Sequence, residues 1–143
     1  MLERIKSIIR SSKKRDRDFD RHAEVLSQRL WPWRESRLAA LVYSVVSLDF
    51  ASTYAVLRLS GNRYVFEGGP MASWALRIGG FPALFCADII AASFILLVAI
   101  ISRVGYNRFG YKGFGRAAFT VVLIPYVVVT MAIIFNNVVL TFI

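Results

Sequence analysis

The sequence has few of the residues that bind metals or form disulfide bonds. It contains one cysteine, Cys86, and one histidine, His22, among 143 residues. A single cysteine cannot form an intrachain disulfide, and the usual ligand sets for zinc, haem or iron–sulfur clusters are missing. No Ser–His, Cys–His or metal arrangement supplies a nucleophile. We therefore expect no catalytic residues, no metal site and no cofactor.

Acidic residues are also scarce, at nine against 18 Lys and Arg, whereas hydrophobic residues make up 57% of the chain. The mean hydropathy of +0.54 is typical of a small membrane protein. Crossing about 30 Å of hydrocarbon takes roughly 20 helical residues. Three apolar runs are long enough, at about 38–59, 81–101 and 117–142. The sequence predicts an all-α integral membrane protein with an arm over residues 1–36 and a three-span domain over 37–143.

The positions of the basic residues predict the topology. Eleven Lys or Arg precede the first span, three lie at or in the first loop, and four lie between the second and third spans. By the positive-inside rule, the arm and the second loop are cytoplasmic, and the first loop and the C-terminus are outside. We expect a multi-pass protein of the plasma membrane.

The arm has two apolar stripes at helical spacing. These are Leu2, Ile5, Ile8 and Ile9, and then Phe19, Ala23, Leu26 and Leu30 before Pro32. Residues 11–20 mix charges without an apolar period, which indicates a linker or a helix start capped by Ser11 or Ser12. Such basic amphipathic helices lie on the inner leaflet or dock on a partner. Six acids among eleven bases argue against nucleic acid as that partner.

Aromatic and basic residues near the ends of the spans predict contacts with lipid headgroups. A short outer helix, about 70–78, follows Gly68 and Gly69, opens at Pro70 and ends at Gly79 and Gly80. It is too short to cross, so it is interfacial or re-entrant. We expect the second loop to be flexible and to rest in anionic headgroups. The expected interface residues are Trp31, Trp33, Trp74, Arg103, Arg108, Lys112 and Arg116.

The first span carries Asp49 at a depth of about 16 Å, where a charged carboxylate costs roughly 2.5 to 3.5 kcal/mol. Ser52 and Thr53, at i+3 and i+4, share its helix face and can donate to it. Asp88 and Asn137 fall in the same outer half, and Arg58, Arg63 and Glu67 lie at or in the outer loop. Three interpretations remain open: a structural polar cluster, a hydrated cation or proton path, and a contact to another membrane subunit.

Two functions fit these patterns. Small residues along the first span permit close helix contact; they are Ala40, Ser44, Ser47, Ala51 and Ala55. They favour a non-catalytic accessory or assembly subunit whose partners are lipids and other membrane subunits. The alternative is a homo-oligomeric transporter or channel-like protein that uses Asp49 and Asp88 as cation or proton sites.

The chain also resembles an uncharacterised prokaryotic family of small three-span membrane proteins of unknown function. That family has an Asp and small hydroxyl residues in the first span, and a Glu-x-Asn-Pro loop that opens a short helix. The matching residues are Asp49, Ser52, Thr53, Glu67 and Pro70, and Gly69 stands where the family has Asn. The resemblance covers about 38–142. It implies a three-span fold with an outer-facing polar cluster, but it points to no particular activity because none is established for the family.

The charge bias predicts which introduced cysteines a membrane-impermeant reagent can reach. In a Cys86→Ser background, a cysteine at Asn62 should react from outside intact cells and one at Gly110 should not. Both should react after the membrane is permeabilised. Labelling of the cysteine at Gly110 alone in intact cells would show the inverted topology.

Overall fold

The computed structural model describes residues 2–59 and 70–142. These residues form four α-helices, α1 (Leu2–Leu30), α2 (Glu35–Leu59), α3 (Pro70–Arg108) and α4 (Lys112–Thr141). The last three are each long and apolar enough to cross a membrane. For the described residues, the prediction of an all-α chain with three candidate spans is confirmed. The direction in which the helices cross stays a prediction.

The arm is one helix, and the linker predicted over residues 11–20 is wrong. α1 runs without interruption for 29 residues. No Gly or Pro occurs between Leu2 and Leu30, and the Lys and Arg that fill this stretch are good helix formers. The helix ends at Leu30 because Pro32 disfavours helical backbone at the residue before it.

The predicted outer helix and the second span are two helical segments of α3 that meet at a kink. α3 begins at Pro70 and contains one non-helical residue, Gly80, at φ 64° and ψ −152°. Glycine reaches this region because it has no Cβ. Pro82 follows in the first turn after the break, where its missing N–H removes no necessary bond. The predicted break at the glycine pair between the short helix and the second span is therefore confirmed, and the second helical segment continues beyond residue 101 to Arg108.

The flexible second loop predicted around residues 103–116 is also wrong. α3 continues to Arg108 and α4 begins at Lys112, so that only residues 109–111 connect them. Gly110, at φ 85°, makes the turn. The N–H of Tyr111 donates to the main-chain oxygen of Tyr106 at 3.0 Å. The bases assigned to the loop therefore lie on helices.

α4 is the central helix, since it contacts each of the other three, and α2 also contacts α3. The buried core between α2, α3 and α4 consists of Leu38, Val42, Val46, Ala92, Ala99, Phe119 and Leu123. Large apolar side chains also cover the outer surface, where Ile90, Phe94 and Phe135 are 68%, 65% and 71% exposed. Exposed apolar side chains on the outside of a helix bundle are typical of a surface that contacts lipid.

Two glycines let helices approach the start of α4. A Cβ on Gly113 would overlap the main-chain oxygen of Asp20 on α1. A Cβ on Gly115 would lie 2.6 Å from Asn107 Oδ1 and 3.0 Å from the main-chain oxygen of Arg103 on α3. At Gly113 the obstructing atoms are backbone, which cannot move aside for a larger residue, whereas at Gly115 the nearest atom belongs to the Asn107 side chain.

We predict that Gly113→Ala loosens α1 from α4. The added methyl group meets backbone that cannot move aside, and such overpacking costs roughly 1–3 kcal/mol. Thermal unfolding in detergent and the rate of tryptic cleavage within α1 measure the effect.

The matched control is Gly105→Ala on α3, where a Cβ would meet no atom within 4 Å. This substitution replaces a glycine in the interior of a helix and should raise the free energy of unfolding by up to about 1 kcal/mol. Equal stability and equal cleavage for the two variants would contradict the close approach at Gly113.

Candidate functional site

A polar contact joins α2 to α4 in the half of the bundle predicted to face outward. The Nδ2 of Asn137 donates to Ser52 Oγ at 3.0 Å and to Thr53 Oγ1 at 3.1 Å. Ser52 Oγ donates in turn to the main-chain oxygen of Asp49 at 2.9 Å. The expectation that Ser52 donates to the Asp49 carboxylate is therefore wrong, because a helical serine reaches the carbonyl three residues earlier. The side-chain amide of Asn137 on α4 thus binds two hydroxyls on α2 and links the two helices.

Two carboxylates and a tyrosine lie in the same region. Asp49 on α2 and Asp88 on α3 are half-buried. Tyr126 on α4 lies close enough to both side chains to interact with them electrostatically. Both carboxylates also have interaction partners in the folded chain. We call this region the polar cluster; it comprises Asp49, Ser52, Thr53, Asp88, Tyr126 and Asn137.

A second hydroxyl contact ties α2 to α3. The hydroxyls of Tyr43 and Ser93 lie 3.0 Å apart and are partly buried. Sequence reasoning missed this pair and also missed Tyr126. The signal was available, because a tyrosine within an apolar span needs a partner for its hydroxyl. The pairing itself depends on how the helices are rotated.

At the predicted outer end of α2, Arg58 points at an aromatic ring. Its guanidinium carbon lies 5.2 Å from the centre of the Phe81 ring on α3, a distance typical of a cation–π contact. Tyr54 packs edge-on against the same ring at 4.7 Å. Of the residues assigned to the outer loop, Arg63 and Glu67 lie outside the described residues, and Pro70 is the exposed first residue of α3. Trp74, an expected interface residue, is 60% exposed.

The opposite end of the bundle carries a second set of polar contacts. Arg103 on α3 forms an ion pair with Glu35 on α2 at 2.5 Å. The Nη2 of Arg116 on α4 donates to the main-chain oxygens of Trp31 and Trp33 at 3.1 and 3.4 Å. Both arginines were predicted to contact lipid headgroups, but their guanidinium groups engage protein. Exposed carbonyls at the end of a helix attract a cation, and α1 ends next to Arg116.

Asp20 on α1 makes a further polar contact at this end of the bundle. Its Oδ1 accepts a hydrogen bond of 2.8 Å from the main-chain N–H of Phe114 in the first turn of α4. The N-cap residue Tyr111 makes no side-chain capping bond. α1 thus provides the cap that α4 lacks. We call Asp20, Glu35, Arg103, Phe114 and Arg116 the inner latch. Sequence reasoning missed Asp20 and Glu35, although Gly113 and Gly115 could have indicated close packing.

The other predicted interface residues differ in exposure. Trp31 and Trp33 meet edge to face at 4.9 Å between ring centres. Trp31 is partly buried against the core, whereas Trp33 is 54% exposed. Arg108 and Lys112 are exposed. Trp33 and these two bases are therefore the members of the predicted set at this end that remain free to meet lipid.

No family model, curated protein or solved structure matches this chain. The resemblance to the small three-span family therefore stays a prediction. Within residues 2–59 and 70–142, no group of three or more His, Cys, Asp or Glu side chains could hold a metal ion. The polar groups of this region are the hydrogen-bonded Ser52, Thr53 and Asn137 and the side chains of Asp49 and Asp88.

We predict that Asn137→Leu weakens the contact between α2 and α4. The variant removes two interhelical hydrogen bonds, and such bonds average ~0.6 kcal/mol each in a membrane protein. We expect a loss of about 1 kcal/mol in the free energy of unfolding, measured by titration from mild detergent into SDS.

The neighbouring Asn136 is exposed and provides the control. Asn136→Leu should leave stability unchanged or raise it, because it places an apolar side chain on an outer face. If Asn137→Leu were as stable as Asn136→Leu, the contact would not hold the helices together.

Proposed function

We propose that this protein is a non-catalytic accessory or assembly subunit of a larger complex in the plasma membrane. The proposal rests on one observation, an exposed face of α2 that is made of small residues. Ala40, Ser44, Ser47 and Ala51 are exposed along this helix. A row of small side chains lets the backbone of a second helix come close, which is how helices associate in lipid.

The position of this face on α2 supports the proposal. At 100° per residue, the four small residues fall within about 60° of one another on the helix surface. The buried residues of α2, among them Leu38, Val42 and Val56, lie on the opposite side. The small residues are therefore turned away from α4. They lie beside the edge of α2 at which Tyr54 and Arg58 meet Phe81 of α3, and they remain exposed.

The serines on this face are compatible with burial against a neighbour. Ser44 Oγ donates to the main-chain oxygen of Ala40 at 3.0 Å, and Ser47 Oγ donates to that of Tyr43 at 2.9 Å. Each hydroxyl is thus satisfied within its own helix. It can still accept a bond from a partner helix, so contact with a neighbour costs no hydrogen bond.

The arm supports the same role at the predicted cytoplasmic side. Asp20 and Arg116 of the inner latch join α1 to α4, and α1 presents an exposed basic ridge of Arg10, Arg17 and Arg21. This ridge suits an acidic surface of a cytoplasmic partner or the charged headgroups of the inner leaflet.

A second candidate function has its own support. The polar cluster brings Asp49, Asp88 and Tyr126 from three helices into one region of the bundle. Carboxylates in the interior of membrane bundles often mark routes for cations or protons. A homo-oligomeric transporter that uses these two carboxylates is therefore the alternative.

The proposal is tested by identifying the proteins that are extracted together with this chain from its own membrane. A tagged chain is extracted from its own membranes in mild detergent, purified, and analysed by native mass spectrometry. We expect other membrane subunits in the particle. Ser47→Leu and Ala51→Leu should each reduce those subunits several-fold, because a leucine on this face separates the two helices.

Ala91 on α3 and Ala132 on α4 are exposed small residues on other faces, so Ala91→Leu and Ala132→Leu are the matched controls. They should keep the foreign subunits. If all four variants lost the foreign subunits to the same extent, the exposed face of α2 would have no particular role in binding them. A pure homo-oligomer would contradict the accessory role and favour the transporter.

A further inference from the structure

An aromatic cavity lies where the arm meets the turn between α3 and α4. Its volume is about 420 Å³, and the described residues that line it are Asp16, Phe19, Tyr106, Tyr111 and Phe114. This volume is typical of small-molecule sites, which enclose roughly 300–1,000 Å³. Phe19 and Tyr106 are 59% and 45% exposed, so the cavity opens at the molecular surface. The cavity shares no residue with the polar cluster or with the small-residue face of α2.

Contacts between three helices hold the walls of this cavity. Tyr106 stacks on Phe114 with 6.0 Å between ring centres, and Tyr111 meets Phe114 edge to face at 6.0 Å. The N–H of Tyr111 donates to the main-chain oxygen of Tyr106, which fixes the turn. Asp20 accepts the N–H of Phe114 and so holds the neighbouring part of α1 against the same rings. The aromatic walls are therefore already assembled in the folded chain.

Asp16 gives the cavity a negative charge. Its side chain is half-buried, and no Lys or Arg of the described ranges forms an ion pair with it. The faces of aromatic rings are also electronegative, and cages of such rings bind quaternary ammonium groups. A carboxylate among four aromatic rings therefore suits an alkylated ammonium ion better than an anion or an uncharged apolar group.

Basic residues flank this acidic and aromatic lining. Arg15 is exposed and precedes Phe19 by one turn on the same face of α1, and the exposed Lys112 follows Tyr111. Such bases repel an isolated cation but attract a phosphate group. Choline phosphate carries both charges, with a trimethylammonium group at one end and a phosphate at the other. It is the ligand chemistry that agrees with both parts of the surface.

We propose that the aromatic cavity binds the trimethylammonium end of a choline phosphate group. The four rings surround the methyl groups, and the Asp16 carboxylate balances the positive charge. The exposed bases Arg15 and Lys112 attract the phosphate. This site goes beyond the proposed function, because it concerns a small ligand and does not depend on partner subunits or on the direction in which the helices cross.

Titration of the full chain in maltoside detergent tests the proposal. Isothermal titration calorimetry compares choline phosphate with dimethylbutyl phosphate, an analogue of the same shape in which a carbon atom replaces the nitrogen and removes its charge. Choline phosphate should bind several-fold more tightly. Asp16→Asn removes the negative charge and Phe19→Leu removes one ring, so each should weaken the binding of choline phosphate several-fold.

Asp18→Asn and Phe109→Leu are the matched controls, because Asp18 and Phe109 are exposed and do not line the cavity. Both should bind choline phosphate as the unaltered chain does. Unchanged thermal unfolding verifies that each variant folds. Equal binding of the two phosphates would show that only the phosphate is recognised and would overturn the proposal. Equal binding by the cavity variants and their controls would overturn it as well.

A second measurement distinguishes a lipid headgroup from a soluble ligand. Lys112 and Arg116 lie in the first two turns of α4, and no charged residue follows in the helix. If α4 crosses the membrane, the cavity therefore lies near the level of the headgroups. The chain is reconstituted into vesicles of equal parts phosphatidylcholine and phosphatidylglycerol, extracted into detergent and analysed by native mass spectrometry for retained lipid.

Preferential retention of phosphatidylcholine, lost in Asp16→Asn and Phe19→Leu but kept in both controls, would identify the lipid headgroup as the ligand. Binding of choline phosphate without such retention would identify a soluble compound. If the chain neither bound choline phosphate nor retained phosphatidylcholine in preference, the cavity would not be a site for this group.

Discussion

The first turn of α4 has main-chain N–H groups with no partner inside its own helix, and satisfying them organises one end of the molecule. Asp20 reaches this turn from α1 and accepts the N–H of Phe114. Gly113 allows the approach, since any Cβ would meet the backbone of Asp20. In the opposite direction, Arg116 on α4 donates to main-chain carbonyls at the end of the arm. These reciprocal bonds hold the arm against α4 through the face of α1 that carries Asp20 and through the residues that follow α1.

The three candidate spans, α2, α3 and α4, depend on a different set of contacts. Lipid tails are as apolar as leucine, so burial alone gives helices little reason to associate in a bilayer. Specific bonds supply part of the reason here. Asn137 binds Ser52 and Thr53, and Tyr43 meets Ser93. These bonds also fix the rotation of α2 about its axis. The small residues of α2 face outward because its hydroxyls at Ser52 and Thr53 face α4.

Several local patterns were sufficient for a correct prediction, and others were misleading. Gly79 and Gly80 indicated a break in the chain, and Gly80 adopts a backbone conformation that favours glycine. Gly113 and Gly115 looked like the glycines of a flexible loop, but they lie in α4 and serve close packing. The same residue type marks a turn in one case and a helix contact in the other. Only the neighbouring backbone distinguishes the two cases, and the local sequence does not contain it.

The sequence by itself determined the helical class and the three candidate spans. Length and hydropathy suffice for this, because each apolar segment must satisfy its own backbone hydrogen bonds in lipid. It also pointed to Ser52, Thr53 and Asn137 as intramembrane polar residues. The tertiary structure alone decided that Asn137 binds both hydroxyls, that Arg116 holds the end of α1, and that Phe19, Leu26 and Leu30 stay exposed. Helical periodicity states which residues share a face. What that face meets depends on residues about 90 positions away in the chain, such as Gly113 and Phe114 opposite Asp20.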